Sequence, residues 1–254
     1  MGLIKTKEEI EILTEAGFRL AGIVKILAEK VTPGVSTKEL DNLAEKLVRD
    51  GGDIPSFKGY RPGGAKESYP ATLCTSVNDA VVHGVPTDEP LKNGDIIGLD
   101  IGLTHRGLIA DMAVTVPVGE ISEEYKKLIT ITKESLMHGI KAAVSGNNIG
   151  AIGHAIESYV HPFGYGIVEV LGGHGVGHKV HEPPFIPNYG NKTAGPVIQE
   201  GMVLALEPML NLGSPEISLD SDGFTYRTRD GAHSAHFEHT IVITKDGPVI
   251  LTRL

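Results

Sequence analysis

The stretch that decides the fold is Asp95–Val118, "DIIGLDIGLTHRGLIADMAVTVPV", in which two apolar, β-branched runs flank the turn-like "THRG". It predicts a β-hairpin that carries one aspartate on each strand, Asp100 and Asp111. Their midpoint falls between His105 and Arg106, so we expect the two to lie close to directly opposite one another. Like charges are destabilising at the roughly 4.5–5.5 Å that separates opposed Cβ atoms. Either a shared proton, a basic partner or a cation offsets the repulsion, or the register slips and both carboxylates are solvated.

Two further carboxylates interrupt apolar runs later in the chain. Glu207 lies within "MVLALEPML" and Glu238 within "SAHFEHTIVIT". A carboxylate in such a run is costly unless it is paired or bound to a metal; the alternative for each is a strand-end residue paired with Arg or Lys. Four carboxylates and one imidazole would balance two divalent cations, and so oxygen-rich a set of ligands suits Mn, Fe(II), Co or Zn. The pattern therefore favours a two-metal cluster.

Three histidines stand close together in "GGHGVGHKVHEPP", Gly172–Pro184: His174, His178 and His181. The stretch is too rich in glycine for a helix, so the two-histidine logic of the H-E-x-x-H zinc motif does not apply. Its glycines instead let the backbone pass close to an ion or a ligand. The stretch is therefore a candidate part of the site.

Other histidines carry weaker signals. His83 ends the apolar run of "VNDAVVHGVP", at a turn that faces a cleft or solvent. His236 shares a strand face with Glu238 by the two-residue period, so we expect it to approach whatever Glu238 binds, whereas His239 points the other way. The histidines predicted at turns or helix surfaces, without a role, are His105, His138, His154 and His161.

The remaining patterns predict one α+β domain that spans residues 1–254. Capping boxes at Thr6–Glu9 and Ser36–Glu39 each begin a helix, and short strands follow beyond residue 70. The order then recurs, with helices in "SEEYKKLITITKESLMHGIKAAV" and "NNIGAIGHAIESYVHPFGYG" and strands in "GIVEVL", "GMVLALEPML" and "HSAHFEHTIVITKDGPVIL". We expect two similar halves, roughly 1–120 and 121–254, with the site in the cleft between them.

Composition narrows the function classes. The chain has 254 residues, one cysteine and a formal net charge of -9. A single cysteine excludes a disulfide within the chain and favours a reducing, cytoplasmic setting. No apolar run approaches the roughly 20 residues that cross a bilayer, and we predict no signal peptide and no membrane partner. The acidic balance argues against DNA as a partner.

Taken in order, seven polar positions match those of type I methionine aminopeptidases: His83, Asp100, Asp111, His174, His181, Glu207 and Glu238. The surrounding words "SVNDAVVHGVP", "GDIIGLDIG", "ADMAVTV", "GGHGVGHKVHEPP", "LALEPML" and "SAHFEHTIVIT" resemble that family too, and the resemblance covers essentially the whole chain. It implies the pita-bread fold, in which two pseudo-symmetric α+β halves surround a dinuclear metal site.

The resemblance also implies a reaction. Asp111 and Glu238 would bridge two divalent ions (Co, Mn, Fe or Zn), Asp100 would chelate one ion, and His174 and Glu207 would complete the other. A hydroxide held between the ions would hydrolyse the first peptide bond of nascent or short polypeptides and release the initiator methionine. Transient ribosome contact and a monomeric state are further expectations of this reading.

Three residues would assist that reaction, according to the resemblance. Glu207 would take the proton of the attacking water, and His181 would donate a hydrogen bond to the developing oxyanion. His83 would bind the substrate backbone or shuttle a proton.

The pocket for the first side chain is where the sequence departs from the family. The residues expected there are Tyr69, Cys74, Val180, Phe224 and His236, of which Val180 replaces a usual Phe, Phe224 a usual Trp and His236 a usual Gln. Lys66, His178 and Lys179 also depart from the common pattern. Adding or removing one methylene group in a hydrophobic pocket shifts specificity only about 10–200-fold, so an N-terminal methionine remains the expected substrate. The alternatives are an X-Pro aminopeptidase or prolidase on the same scaffold and a non-catalytic peptide-binding module.

Overall fold

The computed structural model describes residues 3–61 and 66–253. Its helices are α1 Lys7–Lys30, α2 Thr37–Asp50, α3 Glu123–Ala142 and α4 Gly150–Val160, with a 3₁₀ turn at His161–Phe163. Its strands are β1 Ile54–Pro55, β2 Cys74–Val77, β3 Ala80–Val82, β4 Ile96–His105, β5 Leu108–Pro117, β6 Gly166–Ile167, β7 Gly173–Gly175, β8 Glu182–Ile186, β9 Val203–Leu206, β10 Met209–Asn211, β11 Ile217–Leu219, β12 Tyr226–Thr228, β13 Ser234–His236, β14 Glu238–Thr244 and β15 Gly247–Ile250.

The helices begin where the capping patterns predict. The Thr6 hydroxyl accepts the amide of Glu9, and the Glu9 carboxylate accepts the amide of Thr6, so α1 starts with a complete capping box. Ser36 and Glu39 form the same box at the start of α2. Each box satisfies two backbone donors that the first helical turn cannot pair internally.

Nine antiparallel strands form the main sheet, in the order β1-β4-β5-β14-β9-β7-β8, with β2 paired to β4 and β15 to β14. Two small sheets, β13-β10-β6 and β11-β12-β3, accompany it. Helices α1 and α2 bury residues such as Leu20 and Leu40 with Leu99 of β4. Helices α3 and α4 bury residues such as Leu136 and Ile152 with strands of the later half. Strands of the earlier and later halves thus meet at β5 and β14.

The hairpin of β4 and β5 forms, but its register differs from the expected one. Asp100 faces Ala113, and Asp111 faces Gly102, so the two aspartates are diagonal neighbours on one face and not directly opposite. The reason is the turn: it consists of Arg106 and Gly107, both with positive φ (49° and 85°), which centres the hairpin one step further along. Two-residue turns of this hand match the twist of the paired strands.

Some predicted strands are shorter than the apolar runs. "GIVEVL" contributes only Gly166–Ile167, and "GMVLALEPML" breaks at Glu207 and Pro208. Proline lacks the N–H that a ladder needs, so the break places Glu207 at the end of β9. Across the described residues, none of the helices combines the length and the apolar character that would cross a membrane.

His105 corrects another expectation, since it is buried and not on the surface. Its Nδ1 lies 2.7 Å from Asp53 Oδ1, which ties the end of β4 to the segment after α2. His239, by contrast, lies as expected on the other side of β14 from Glu238, with its Nδ1 2.8 Å from the Thr252 hydroxyl.

Candidate active site

Four carboxylates and one imidazole, four of them on strands and one directly after a strand, converge beside the junction of the two halves. Asp100 and Asp111 come from the hairpin, Glu238 is the first residue of β14, Glu207 follows β9, and His174 is the central residue of β7. Asp111, His174 and Glu238 each offer a ligand atom within 4.8 Å of the others. Glu207 Oε1 lies 3.3 Å from His174 Nε2. We call these five residues the floor cluster.

Backbone pairing holds the floor cluster in place. Glu238 faces Ala113, the residue that also faces Asp100, so β5 carries the alignment from one carboxylate to the next. The Thr240 hydroxyl accepts the Asp111 amide at 2.9 Å and donates to the Asp111 carbonyl at 2.7 Å. These contacts use backbone atoms of Asp111, and of its carboxylate one oxygen accepts the Met112 amide at 3.0 Å.

His174 is oriented as a metal ligand would be. Its Nδ1 lies 2.9 Å from the carbonyl oxygen of Gly175. A carbonyl can only accept, so Nδ1 carries the proton and Nε2 presents its lone pair toward Glu207. A backbone acceptor that fixes the tautomer in this way is the usual partner of a metal-bound imidazole. Two acceptors facing each other need a proton or a cation between them.

The electrostatics of the floor cluster require positive charge. Burial raises the pKa of Asp111 to about 7, even though the Met112 amide acts in the opposite direction. Burial, followed by the charges of neighbouring carboxylates, raises the pKa values of Asp100, Glu207 and Glu238 well above their usual range. Four carboxylates this close cannot all be ionised without a compensating cation.

Unsatisfied atoms point the same way. Asp100 Oδ1 and Glu238 Oε1 are buried and have no hydrogen-bond partner among residues 3–61 and 66–253. Buried polar atoms are almost always paired, so these two oxygens fit the role of ligands to a cation. Oxygen donors with one imidazole are the ligand chemistry of the harder divalent metals.

The floor cluster closes one end of a cavity whose other walls are apolar or aromatic. Those walls come from Phe57, Tyr60, Tyr69, Cys74, Val180 and Phe224, with His83 and His181 at the polar side. Tyr69 and Phe224 meet edge to face with ring centroids 5.5 Å apart. The structure therefore brings the predicted pocket residues Tyr69, Cys74, Val180 and Phe224 beside the carboxylates.

Two histidines face the cavity from opposite elements. His83 sits at a turn with φ of 59°, and burial lowers its pKa to about 4, so the ring is neutral at pH 7. His181 is exposed at the mouth, with its ring 4.5 Å from that of His174 and its Nδ1 2.9 Å from the Tyr60 hydroxyl.

Tyr60 and Phe57 are the residues that the sequence did not single out. They lie in "SFKGYRPGG", which has neither helical nor strand periodicity. The partner of Tyr60, His181, is 121 residues further along the chain. The signal that could have identified them is the pair of aromatic residues just before a glycine-rich stretch.

His236 was expected in the pocket and lies elsewhere. It is absent from the cavity walls that the described residues form, and it is buried behind Glu207, with its Nε2 3.7 Å from Glu207 Oε2. This position agrees with the expectation that His236 approaches what Glu238 binds, although His236 does not line the pocket. Lys66 is exposed, and Lys179 is exposed beside the mouth.

Residues 11–245 match the model of a protein family described as metallopeptidase family M24. The chain belongs to family M24. Because this is a family of metallopeptidases, divalent metals are part of its chemistry, and the floor cluster is the place in this chain whose oxygens and imidazole fit them.

Individual relatives within the M24 family are more specific. The chain is 45% identical to a methionine aminopeptidase of Clostridium acetobutylicum over 253 residues, covering 99% of each chain. It is also 45% identical to methionine aminopeptidase 1 of Bacillus subtilis over 254 residues, covering 100% of each. The crystal structure of methionine aminopeptidase from Rickettsia prowazekii superposes with a TM-score of 0.95 at 37% identity, covering 98% of this chain and 99% of that one. The type I resemblance and the pita-bread fold are thereby confirmed.

The scaffold is shared with proteins of the alternative class. A prolidase from Pyrococcus furiosus superposes with a TM-score of 0.78 at 25% identity, but this chain spans only 66% of its length. The relatives described above that match this chain end to end are named methionine aminopeptidases.

Proposed function

We propose that this chain is a metal-dependent aminopeptidase that hydrolyses the first peptide bond of polypeptides and removes an N-terminal methionine. The observation that carries the proposal is a buried carboxylate–histidine cluster that closes one end of an apolar cavity. The full-length likeness to proteins named methionine aminopeptidases supports it, and no observation favours the X-Pro alternative.

The proposed metal ligands are the five residues of the floor cluster, Asp100, Asp111, His174, Glu207 and Glu238. Two divalent cations would balance the charge of these four carboxylates. When bound, such ions polarise a carbonyl and lower the pKa of water. A non-catalytic peptide-binding module would not need these metal ligands, so the intact set argues against that alternative.

Glu207 is the proposed acid–base residue. Its side chain is 14% exposed, more than the buried oxygens of Asp100 and Glu238, so it can reach a water in the cavity. Burial and neighbouring charge raise its pKa, which suits a group that must both take a proton and give it back. The Asn188 amide holds the backbone carbonyl of Glu207 at 3.1 Å and so fixes its position.

His181 is the proposed donor to the oxyanion. When the Tyr60 hydroxyl donates to Nδ1, the proton of the neutral ring sits on Nε2, on the side away from Tyr60. A fixed donor where charge develops is among the largest contributions to such a reaction. His83, neutral and across the cavity, is the proposed contact to the substrate backbone.

The apolar part of the cavity is the proposed place of the methionine side chain. Tyr69, Cys74, Val180 and Phe224 present aromatic, thiol and aliphatic surface to it. A flexible thioether packs well on aromatic edges, which favours methionine over branched first residues. The cysteine is neutral at pH 7, because burial raises the pKa of the Cys74 thiol.

Four properties stay predictions from the sequence. They are the identity of the metal, action on nascent chains in the cytoplasm, transient contact with the ribosome and a monomeric state.

A peptide panel tests the proposed function. The protein is stripped of metal, reconstituted separately with Mn, Fe, Co or Zn, and assayed on matched peptides that begin with Met, norleucine, Leu, Ala or X-Pro. We expect turnover of Met-peptides with at least one metal, followed by norleucine, and little turnover of the others.

The control is the metal-stripped protein without reconstitution. Preferential turnover of X-Pro peptides would replace the proposal with the prolidase-like alternative. Peptide binding without turnover under any metal would support the non-catalytic module.

A further inference from the structure

The loop Gly177–Glu182 contains residues for which the proposed function has no use. It carries Val180 and His181, which line the cavity, but also His178 and Lys179, which do not. Side-chain contacts outside the cavity hold this loop. They involve the carboxylate of Glu182 and residues at or just before the start of α1.

Glu182 closes the loop on itself. Its Oε1 accepts the backbone amides of His178 at 2.6 Å and Lys179 at 2.9 Å. Val180 and His181 lie between these donors and Glu182 in the chain, so the position of the carboxylate constrains both. Hydrogen bonds from two backbone amides to one ionised oxygen are charge-assisted and therefore strong.

Lys5 fixes Glu182 in turn. Its Nζ lies 2.8 Å from Glu182 Oε2, and the side chains of the pair are only 1% and 10% exposed. The backbone amide of Lys5 donates to the Gly201 carbonyl at 2.8 Å, so the lysine is anchored to the segment before β9. Losing one partner of a buried pair leaves an uncompensated charge and is strongly destabilising.

The path of Lys5 explains a glycine in the loop. A Cβ on Gly177 would lie 2.5 Å from Lys5 Cε, and Gly177 has a φ of 138° that side chains rarely adopt. The conformation therefore favours glycine at this position, and a side chain there would also displace Lys5. The lysine passes directly against the loop that it supports.

His178 adds a second link to the N-terminal segment. Its Nε2 lies 2.7 Å from Glu9 Oε1, and because a carboxylate only accepts, the histidine donates. The other oxygen of Glu9 accepts the Thr6 amide in the capping box. The Glu9 carboxylate thus both caps the start of α1 and binds the loop through His178.

Glu182 is ionised at neutral pH despite its surroundings. Burial acts to raise the pKa of Glu182, but the hydrogen bonds from Lys5 and from the amides of Lys179 and His178 outweigh burial and leave it below the usual value. The contact to Lys5 is therefore a true ion pair.

We propose that Glu182, fixed by Lys5, is a positioning residue that sets the places of Val180 and His181 and thereby the choice of the first side chain. The segment Lys5–Glu9, remote from the cavity in sequence, is then part of the specificity apparatus. This inference rests on the proposed aminopeptidase function.

The test compares Glu182→Gln with Glu157→Gln. The first substitution keeps the shape of the side chain but gives up the charge that pairs with Lys5, whereas Glu157 is a half-buried carboxylate of α4 that accepts one backbone amide, from Gly190 at 2.9 Å. Hydrogen–deuterium exchange of the peptide that covers residues 176–182 reports on the loop directly. The ratio of kcat/KM for Met- and Leu-peptides reports on selection, and bound metal is measured in parallel.

We expect E182Q to speed exchange in the loop by about tenfold and to lower the Met-to-Leu ratio by about tenfold, with bound metal unchanged. E157Q should change neither the loop nor the ratio. Should E182Q yield no folded protein, His178→Ala decides instead, because it removes the side-chain hydrogen bond to Glu9 and leaves the pair of Lys5 and Glu182 in place; it should shift both readouts in the same direction by less.

Unchanged exchange in the loop would overturn the positioning role. A freed loop with an unchanged ratio, or a uniform loss on every peptide, would overturn the role in selection and leave a structural one. Absence of Met-peptide turnover in the unsubstituted protein would instead count against the proposed function, and the exchange measurement would still decide the positioning role.

Discussion

The floor and the mouth of the cavity are built in different ways. The floor cluster stands on the central strands, where ten successive residue pairs align β4 with β5 and β14 pairs with both β5 and β9. The mouth consists of the loop Gly177–Glu182 and of Tyr60. Lys5 and Glu9 hold the loop through Glu182 and His178, and the Tyr60 hydroxyl contacts His181. Backbone ladders fix the floor, whereas the mouth combines a few backbone hydrogen bonds, such as that from the Ile109 amide to the Gly177 carbonyl at 2.7 Å, with long-range side-chain contacts.

Most departures from the family pattern follow the same division. The floor cluster keeps every expected donor, whereas His178, Lys179, Val180 and Phe224 belong to the loop or the cavity wall. The exceptions are His236, which lies beside Glu207, and the exposed Lys66. Hydrolysis needs donors held rigidly, and a sheet provides that. Selection of a side chain needs a surface that can vary, and a loop can change without moving the sheet.

Removing a floor donor should have the largest effect. We expect His174→Ala to lose bound metal and to lower Met-peptide turnover by on the order of 10³-fold or more, as for other groups at a reacting centre. Turnover and metal content measure the effect, with exposed His154→Ala of α4 as the matched control. Normal metal content in H174A would remove His174 from the ligand set.

Removing the donor at the mouth should slow the reaction without touching the metal. We expect His181→Ala to lower kcat by about 10²–10³-fold, the usual cost of losing one donor to an oxyanion. Bound metal should equal that of the unsubstituted protein, which sharpens the contrast with H174A. Loss of metal in H181A would show that floor and mouth are not separable.

Trimming the cavity wall should change selection only. Val180 is buried against the aromatic wall, so Val180→Ala removes apolar contact with the first side chain. We expect kcat/KM for Met-peptides to fall by about tenfold, mostly through KM, with metal content unchanged. Equal losses on Met- and Ala-peptides would mean that the methionine side chain does not pack on Val180.

The stability of the metal-free protein should depend on pH differently from that of the metal-bound protein, and this effect should be smaller than the preceding ones. Burial raises the pKa of Asp111 to about 7 and those of Asp100, Glu207 and Glu238 well above their usual range. A raised carboxyl pKa contributes stability at low pH that is lost as pH rises through the folded-state value. Relative to the metal-bound protein, the metal-free protein should therefore lose stability between about pH 6.5 and 8.5.

The measurement is the rise in Tm on adding metal, which should grow by about 2–4 °C or more over that interval. Histidines act in the opposite direction at the start of the interval, because burial lowers the pKa of His83 to about 4 and that of His174 to about 3, and each costs stability once pH falls below the unfolded value of about 6.5. Comparing metal-bound with metal-free protein at each pH removes the contribution of His83, which is not a proposed ligand. A metal-induced rise that shrinks with pH would contradict the crowded-carboxylate account.

Local patterns were sufficient to predict the floor. Alternation along the hairpin placed Asp100 and Asp111 on one face, and the isolated acids in apolar runs identified Glu207 and Glu238. The register was wrong because it depends on which residues form the turn. Alternation also predicted that His236 approaches the floor cluster, whereas its place in the pocket came from the family resemblance, and it does not line the cavity.

Long-range contacts explain what the sequence did not reveal at the mouth. Lys5 and Glu182 are separated by 177 positions, and Tyr60 and His181 by 121. His105 was expected on the surface because its partner, Asp53, lies 52 positions earlier. No local periodicity encodes such pairs, so side-chain partners of this kind emerge only once the chain is folded.

The central claim is that the buried carboxylate–histidine cluster binds divalent metal and that turnover depends on it. Titrating metal-stripped protein with Mn(II), while bound metal and Met-peptide turnover are measured in the same samples, tests it most directly. The account predicts no turnover without metal and a rise that levels off at two bound ions per chain. Full turnover in the chelated protein, or an inactive protein that binds no metal, would contradict it.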